Sequence, residues 1–171
     1  MTLIERLEKK GLFLAIAESV TGGLICARLI DTPGASRVVL GGIVAYQNDV
    51  KQNLLGVPSE LLAKVGPVDS KVAMIMATSV RDKFALANTK NISRVIGLSS
   101  TGVAGPDPVG RSEVGEVLIG FSSSRGAGHR AFQFQGDREQ IRSQSLAAAL
   151  LVLGEHLDEF WGLESGNSQI H

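Results

Sequence analysis

Short apolar runs alternate with helical stretches along most of this chain, and that alternation restricts the fold more than any single motif. FLAIA (13–17), RVVLGGIVAY (37–46) and RVIGLSS (94–100) are too short and too uniformly apolar for surface helices, and read as buried strands. Between them lie a helical segment over 20–31 that ends at the Thr32-Pro33-Gly34 turn, a short one over 47–55, another from Pro58-Ser59-Glu60, and a long one from an Asp69-Ser70 cap to about Ala87. MTLIERLEKKG adds a short amphipathic helix at the start. Gly41-Gly42 within the second strand predicts a bulge or a close approach. VLIGFSS (117–123) and HRAFQFQ (129–135) form a hairpin around Arg125-Gly126, and Asp137 caps a last helix with apolar positions at 146, 150, 153, 157 and 160. Strands separated by helices predict a three-layer α/β/α sandwich with a mostly parallel sheet, which the hairpin makes mixed.

Composition narrows the function classes. A chain of 171 residues, 44% of them hydrophobic, supplies one domain, expected over 1–160, with an aperiodic tail at 161–171 expected to be disordered. Lys and Arg number 17, as do Asp and Glu, so no excess charge commits the surface to nucleic acid or to a membrane. Cys26 is alone, and the three histidines are scattered, so neither a disulfide framework nor a metal site is expected. No apolar run approaches the roughly 20 residues of a membrane span. These features lead us to expect a soluble, cytoplasmic protein without a cofactor, and its size and class make a symmetric dimer the expected assembly.

Open parallel sheets bind ligands beyond the carboxyl ends of their strands. That rule gathers AESVTGG, AYQND and STGVAGP into one crevice. In AESVTGG the hydroxyls and glycines allow two readings: an ordinary helix N-cap, or a nucleophile at Ser19 with first-turn amides to receive an oxyanion. GVAGPDPVGR lacks the GK[ST] ending of a phosphate loop, and neither GxGxxG, GxSxG nor SxxK occurs. A serine paired with Lys51 remains as a possible chemistry, with the lysine acting as base once burial lowers its pKa.

AESVTGG, GGIVAYQNDVK, STGVAGP with a downstream VGEVLIGF, and FQGDREQIR occur here in order. Together they resemble the CinA C-terminal domain family of nicotinamide-nucleotide amidases, over residues 3–157. The resemblance implies hydrolysis of the carboxamide of nicotinamide mononucleotide to nicotinate mononucleotide and ammonia, in a stand-alone form without a preceding molybdopterin-binding-like domain. It implies a catalytic set of Ser19, Tyr46 and Lys51. Ser19 attacks, Lys51 is the base, and Tyr46 relays the proton or holds Lys51. Thr21, Gly22, Gly23, Asn48, Thr101, Gly102, Ala104, Gly105, Arg138 and Arg142 are the expected substrate contacts. The amides of Thr21 to Gly23 or of Gly102 to Gly105 are the candidate oxyanion donors. Val20 stands where the family commonly has cysteine, and DPVGRSEVGEV departs from its usual glycine-rich loop.

Taken singly, these residues have plainer explanations: Tyr46 as a strand-end aromatic, Lys51 and the Arg138/Arg142 pair as solvated helix charges, Gly102 and Gly105 as parts of a tight loop. Two other functions remain open at this level. One is a catalytically silent module that binds a pyridine nucleotide in the same crevice. The other is an RNA-contacting domain, which zero net charge and few aromatics disfavour.

Overall fold

The computed structural model describes residues 1–162. The expected tail therefore lies almost wholly outside the described residues; Trp161, assigned to it from the sequence, is instead the last residue of the final helix.

A five-stranded sheet in the order β2-β1-β3-β4-β5 forms the middle layer. β1 (Phe13–Glu18) runs parallel to β2 (Val39–Val44) on one side and to β3 (Val95–Gly102) on the other. β4 (Glu116–Ser123) is antiparallel to β3 and to β5 (Gly126–Gln133), so every strand except β4 points the same way. The hairpin turns through Ser124 and Arg125, with Ser123 opposite Gly126. β5 thus starts three residues before the expected HRAFQFQ, because main-chain pairing to β4 recruits Gly126, Ala127 and Gly128, which carry no apolar alternation.

Side-chain alternation along β1 sorts the helices onto two faces. Leu14 and Ile16 join Ile96, Leu98, Val117 and Ile119 in a core closed by α1 (Leu3–Lys9), α2 (Leu24–Ile30) and α6 (Arg138–Trp161). Ala15 and Ala17 point the other way, into a core with α3 (Asn48–Leu55), α4 (Ser59–Val65) and α5 (Ser70–Ala87). This is the three-layer sandwich that the sequence predicts. α5 lies close against the sheet because β3 and β4 have glycine beneath it: a Cβ on Gly97 would meet the Ala77 carbonyl at 1.9 Å, and one on Gly120 the Ala73 carbonyl at 2.4 Å. The Ser99 hydroxyl completes the seam, donating to the Ala73 carbonyl at 2.7 Å.

The predicted caps at Asp69 and Asp137 form as expected, the latter a capping box with Gln140. Gly41 shows the predicted close approach, since at φ +132° a Cβ there would lie 2.9 Å from Phe84. On α6 the predicted seam is only part of the contact. Leu153 and Leu157 are fully buried, whereas Leu146 and Leu150 sit on the flank of a face that also buries Ile141, Ala148, Ala149, Val152 and His156. The largest difference is α2, expected from residue 20 but starting at Leu24. Gly22 (φ +60°) and Gly23 (φ +100°) are left-handed and keep 19–23 as a turn.

Candidate active site

That turn carries Ser19 immediately after β1. The alternation that sends Leu14 and Ile16 toward α2 also sends Glu18 there, and leaves Ser19 on the face of Ala15 and Ala17. Glu18 is 1% exposed, and its carboxylate accepts from the amides of Gly23 (2.9 Å), Ile25 (3.1 Å) and Cys26 (2.8 Å). The positive end of α2 is therefore neutralised by a side chain of the same motif. The amide of Gly22 donates to the Ser19 carbonyl at 3.1 Å. Of the amides expected to receive an oxyanion at this junction, those of Gly22 and Gly23 are thus already bonded within the protein. Glu18 is the residue that sequence reasoning missed. Its signal was a charged residue ending an otherwise apolar strand just before a glycine turn.

Ser19 opens into a cavity of about 280 Å³ at the carboxyl ends of β1, β2 and β3. Val20, Tyr46, Asn48, Lys51, Thr101, Gly102, Ala104, Gly105 and Arg138 share its lining, and Gln47, Pro67, Val68, Val103, Asp107 and Val109 complete it. The crevice inferred from the strand ends is therefore real. Thr21, Gly22, Gly23 and Arg142 do not line it. The Thr21 hydroxyl is buried against Ser100 Oγ at 2.7 Å, and Arg142 donates to the carbonyls of Val20 (3.1 Å) and Thr21 (2.9 Å), bracing the turn from α6.

Lys51 occupies the second turn of α3 and is 1% exposed. Its Nζ donates to the carbonyls of Ala45 at 3.0 Å and Tyr46 at 3.1 Å, and among the described residues no carboxylate pairs with it. Burial without a counter-charge lowers its pKa to about 8, so a substantial fraction is neutral amine in mildly alkaline solution. The neutral amine has two hydrogens and one lone pair. With both hydrogens on the two carbonyls, the lone pair takes a remaining tetrahedral direction, on a residue that lines the cavity.

Tyr46 is 53% exposed, and its phenol oxygen accepts from Arg138 Nη2 at 2.7 Å. Its contact with Lys51 is through the main chain. Arg138 Nη1 donates to the Gly105 carbonyl at 2.7 Å, so the first residue of α6 ties the loop after β2 to the loop after β3. Thr101 directs its hydroxyl to the Pro67 carbonyl at 2.8 Å, fixing the connection between α4 and α5 that borders the cavity. Gly102 and Gly105 have packing reasons of their own: a Cβ would meet the Glu116 carbonyl at 2.7 Å and Val114 at 2.9 Å, respectively. The amides of Val20, Ala104 and Gly105 have no acceptor among the described residues, and all three residues line the cavity.

A family model described as the CinA C-terminal domain matches residues 1–157. A CinA-like protein of Desulfotalea psychrophila is 43% identical over 155 residues, covering 90% of this chain and 35% of its own. A CinA-like protein of Frankia casuarinae is 43% identical over 137 residues, with coverages of 80% and 30%. The chain thus spans about a third of the length of the curated relatives it matches. Among solved structures, a competence-damaged protein (CinA) superfamily protein from Escherichia coli superposes with a TM-score of 0.82 at 25% identity, covering 91% of this chain and 86% of that one. A competence/damage inducible protein from Agrobacterium tumefaciens gives 0.75 at 29% identity, with coverages of 90% and 94%. With a family model over nearly all the described residues and relatives above 40% identity, the chain belongs to the CinA C-terminal domain family.

Proposed function

We propose that this chain is an amidohydrolase that cleaves the carboxamide of nicotinamide mononucleotide to nicotinate mononucleotide and ammonia. The observation that carries this reading is the buried, carboxylate-free Lys51 on the same cavity as Ser19. A lysine held this way is suited to act as a base, and the cavity offers a hydroxyl for it to deprotonate.

In this mechanism Ser19 Oγ bonds to the carboxamide carbon while its proton passes to Lys51 Nζ. The carbonyl electrons move onto oxygen, and the unpaired amides of Val20, Ala104 and Gly105 are the available donors for that oxyanion. The C–N bond then breaks as the Lys51 ammonium returns the proton to the leaving nitrogen. Ammonia departs and an acyl-serine remains. Water, deprotonated by the same amine, releases the nicotinate. Arg138 supplies a fixed positive charge at the cavity for the 5′-phosphate, a remote handle whose binding orients the amide.

The test is ammonia release from nicotinamide mononucleotide by the purified protein and by Ser19→Ala. The parent should turn over and the folded variant should lose at least a hundredfold. Binding of the nucleotide without ammonia release would instead identify a catalytically silent nucleotide-binding module.

A further inference from the structure

Asp107 lies on the cavity in the loop after β3, two residues beyond the Gly105 carbonyl that Arg138 holds. Its side chain is exposed, and among the described residues no cation or hydrogen-bond donor engages it. The loop that carries it is not slack. Val103 donates to Glu116, Gly115 donates to Val103, and Val109 and Ser112 form a two-residue bridge. A free carboxylate on the same cavity as Arg138 is unfavourable if the ligand is only an anion, because like charge subtracts from what the guanidinium contributes. The arrangement becomes complementary if the ligand carries a positive charge as well as a negative one. A phosphorylated pyridinium nucleoside does: the glycosylated ring nitrogen is a permanent cation, and the phosphate is the anion. The reduced dihydropyridine nucleotide keeps the phosphate and loses the cation.

We infer that Asp107 is a specificity-determining residue that selects the oxidised, cationic pyridinium form of the nucleotide over its neutral dihydropyridine form. This rests on the amidase reading for the identity of the ligand. The half-exposed Tyr46 ring on the same cavity adds a second surface that favours a flat cation.

Ring charge also alters the reactivity of the carboxamide, so the test measures binding rather than turnover. Dissociation constants of oxidised and reduced nicotinamide mononucleotide are determined by calorimetry for Ser19→Ala, with and without Asp107→Asn. Asp107→Asn should weaken the oxidised form about fivefold, the scale of a solvent-accessible ion pair, and leave the reduced form unchanged. The difference should shrink in high salt. Equal weakening of both forms would assign the carboxylate to the ribose hydroxyls and overturn the inference, as would no change in either. Failure of the Ser19→Ala protein to bind either nucleotide would overturn the inference and the amidase reading together. Tight, undiscriminating binding would overturn the inference alone.

Discussion

The Tyr46 phenol oxygen accepts a hydrogen bond from Arg138 Nη2 at 2.7 Å, while Lys51 reaches Tyr46 only through its main-chain carbonyl. The aromatic hydroxyl is thus engaged by a guanidinium, which does not deprotonate in the working range. On the amidase reading, Tyr46→Phe should lower kcat/KM by less than tenfold, expressed mainly in KM as Arg138 loses its tether. Steady-state kinetics on nicotinamide mononucleotide decide this. A hundredfold fall in kcat at unchanged KM would assign the phenol to proton transfer.

Arg138 and Arg142 are one helical turn apart yet engage different partners, and their variants should separate accordingly. On the amidase reading, Arg138→Ala should raise KM for the mononucleotide and reduce its advantage over the unphosphorylated riboside. Arg142→Ala removes charge-assisted bonds to the Val20 and Thr21 carbonyls and should cost about 2 kcal/mol of stability with that preference intact. Urea denaturation together with a riboside/mononucleotide comparison reads both effects.

The pKa of Lys51, lowered to about 8 by burial, sets the direction of the pH profile. On the amidase reading the active form is the neutral amine, so kcat/KM should rise through this value and level off above it. Lys51→Arg should lose at least a hundredfold at every pH tested, because arginine stays protonated. Retained activity in that variant would reduce the residue to a fixed charge.

His156 gives a stability prediction independent of catalysis. It is 3% exposed and packs on Phe121, Phe160 and Trp161; Nε2 pairs with the Ser123 hydroxyl at 3.0 Å, and Nδ1 has no partner among the described residues. Burial lowers its pKa to about 4. The unfolded chain takes up a proton near pH 6.5 that the folded chain refuses until about pH 4, so stability is lost as pH falls through that window. Between pH 7 and pH 5 the parent should lose about 2 kcal/mol more than His156→Gln. Denaturant titrations at the two pH values measure the difference, and parallel losses would contradict it.

Much of this architecture was legible in the sequence because its signals are local. The Asp69 and Asp137 caps gave the starts of α5 and α6, and the strand-end rule placed Ser19, Tyr46 and the Thr101–Gly105 segment around one crevice, while Lys51 was singled out by the family resemblance. Other features depend on partners far along the chain. Spacing puts Arg138 and Arg142 on one flank of α6, but nothing local says that one reaches a tyrosine 92 residues away and the other a carbonyl 122 residues away. Glu18 was missed for a related reason: its role appears only once the turn at Gly22 and Gly23 brings the α2 amides back over the end of β1. The same turn delays the helix that periodicity started at residue 20, since backbone handedness at two glycines outranks side-chain pattern.

The two acceptors that hold the Lys51 ammonium, at Ala45 and Tyr46, are main-chain oxygens. Every amino acid supplies that atom, so point substitutions at either position leave the lysine with the same chemical partners provided the chain keeps its path. What can remove them is a change in that path, by insertion or deletion between β2 and α3. The setting of this lysine is therefore insulated from ordinary sequence drift, and the length of this short connection is what inheritance must preserve.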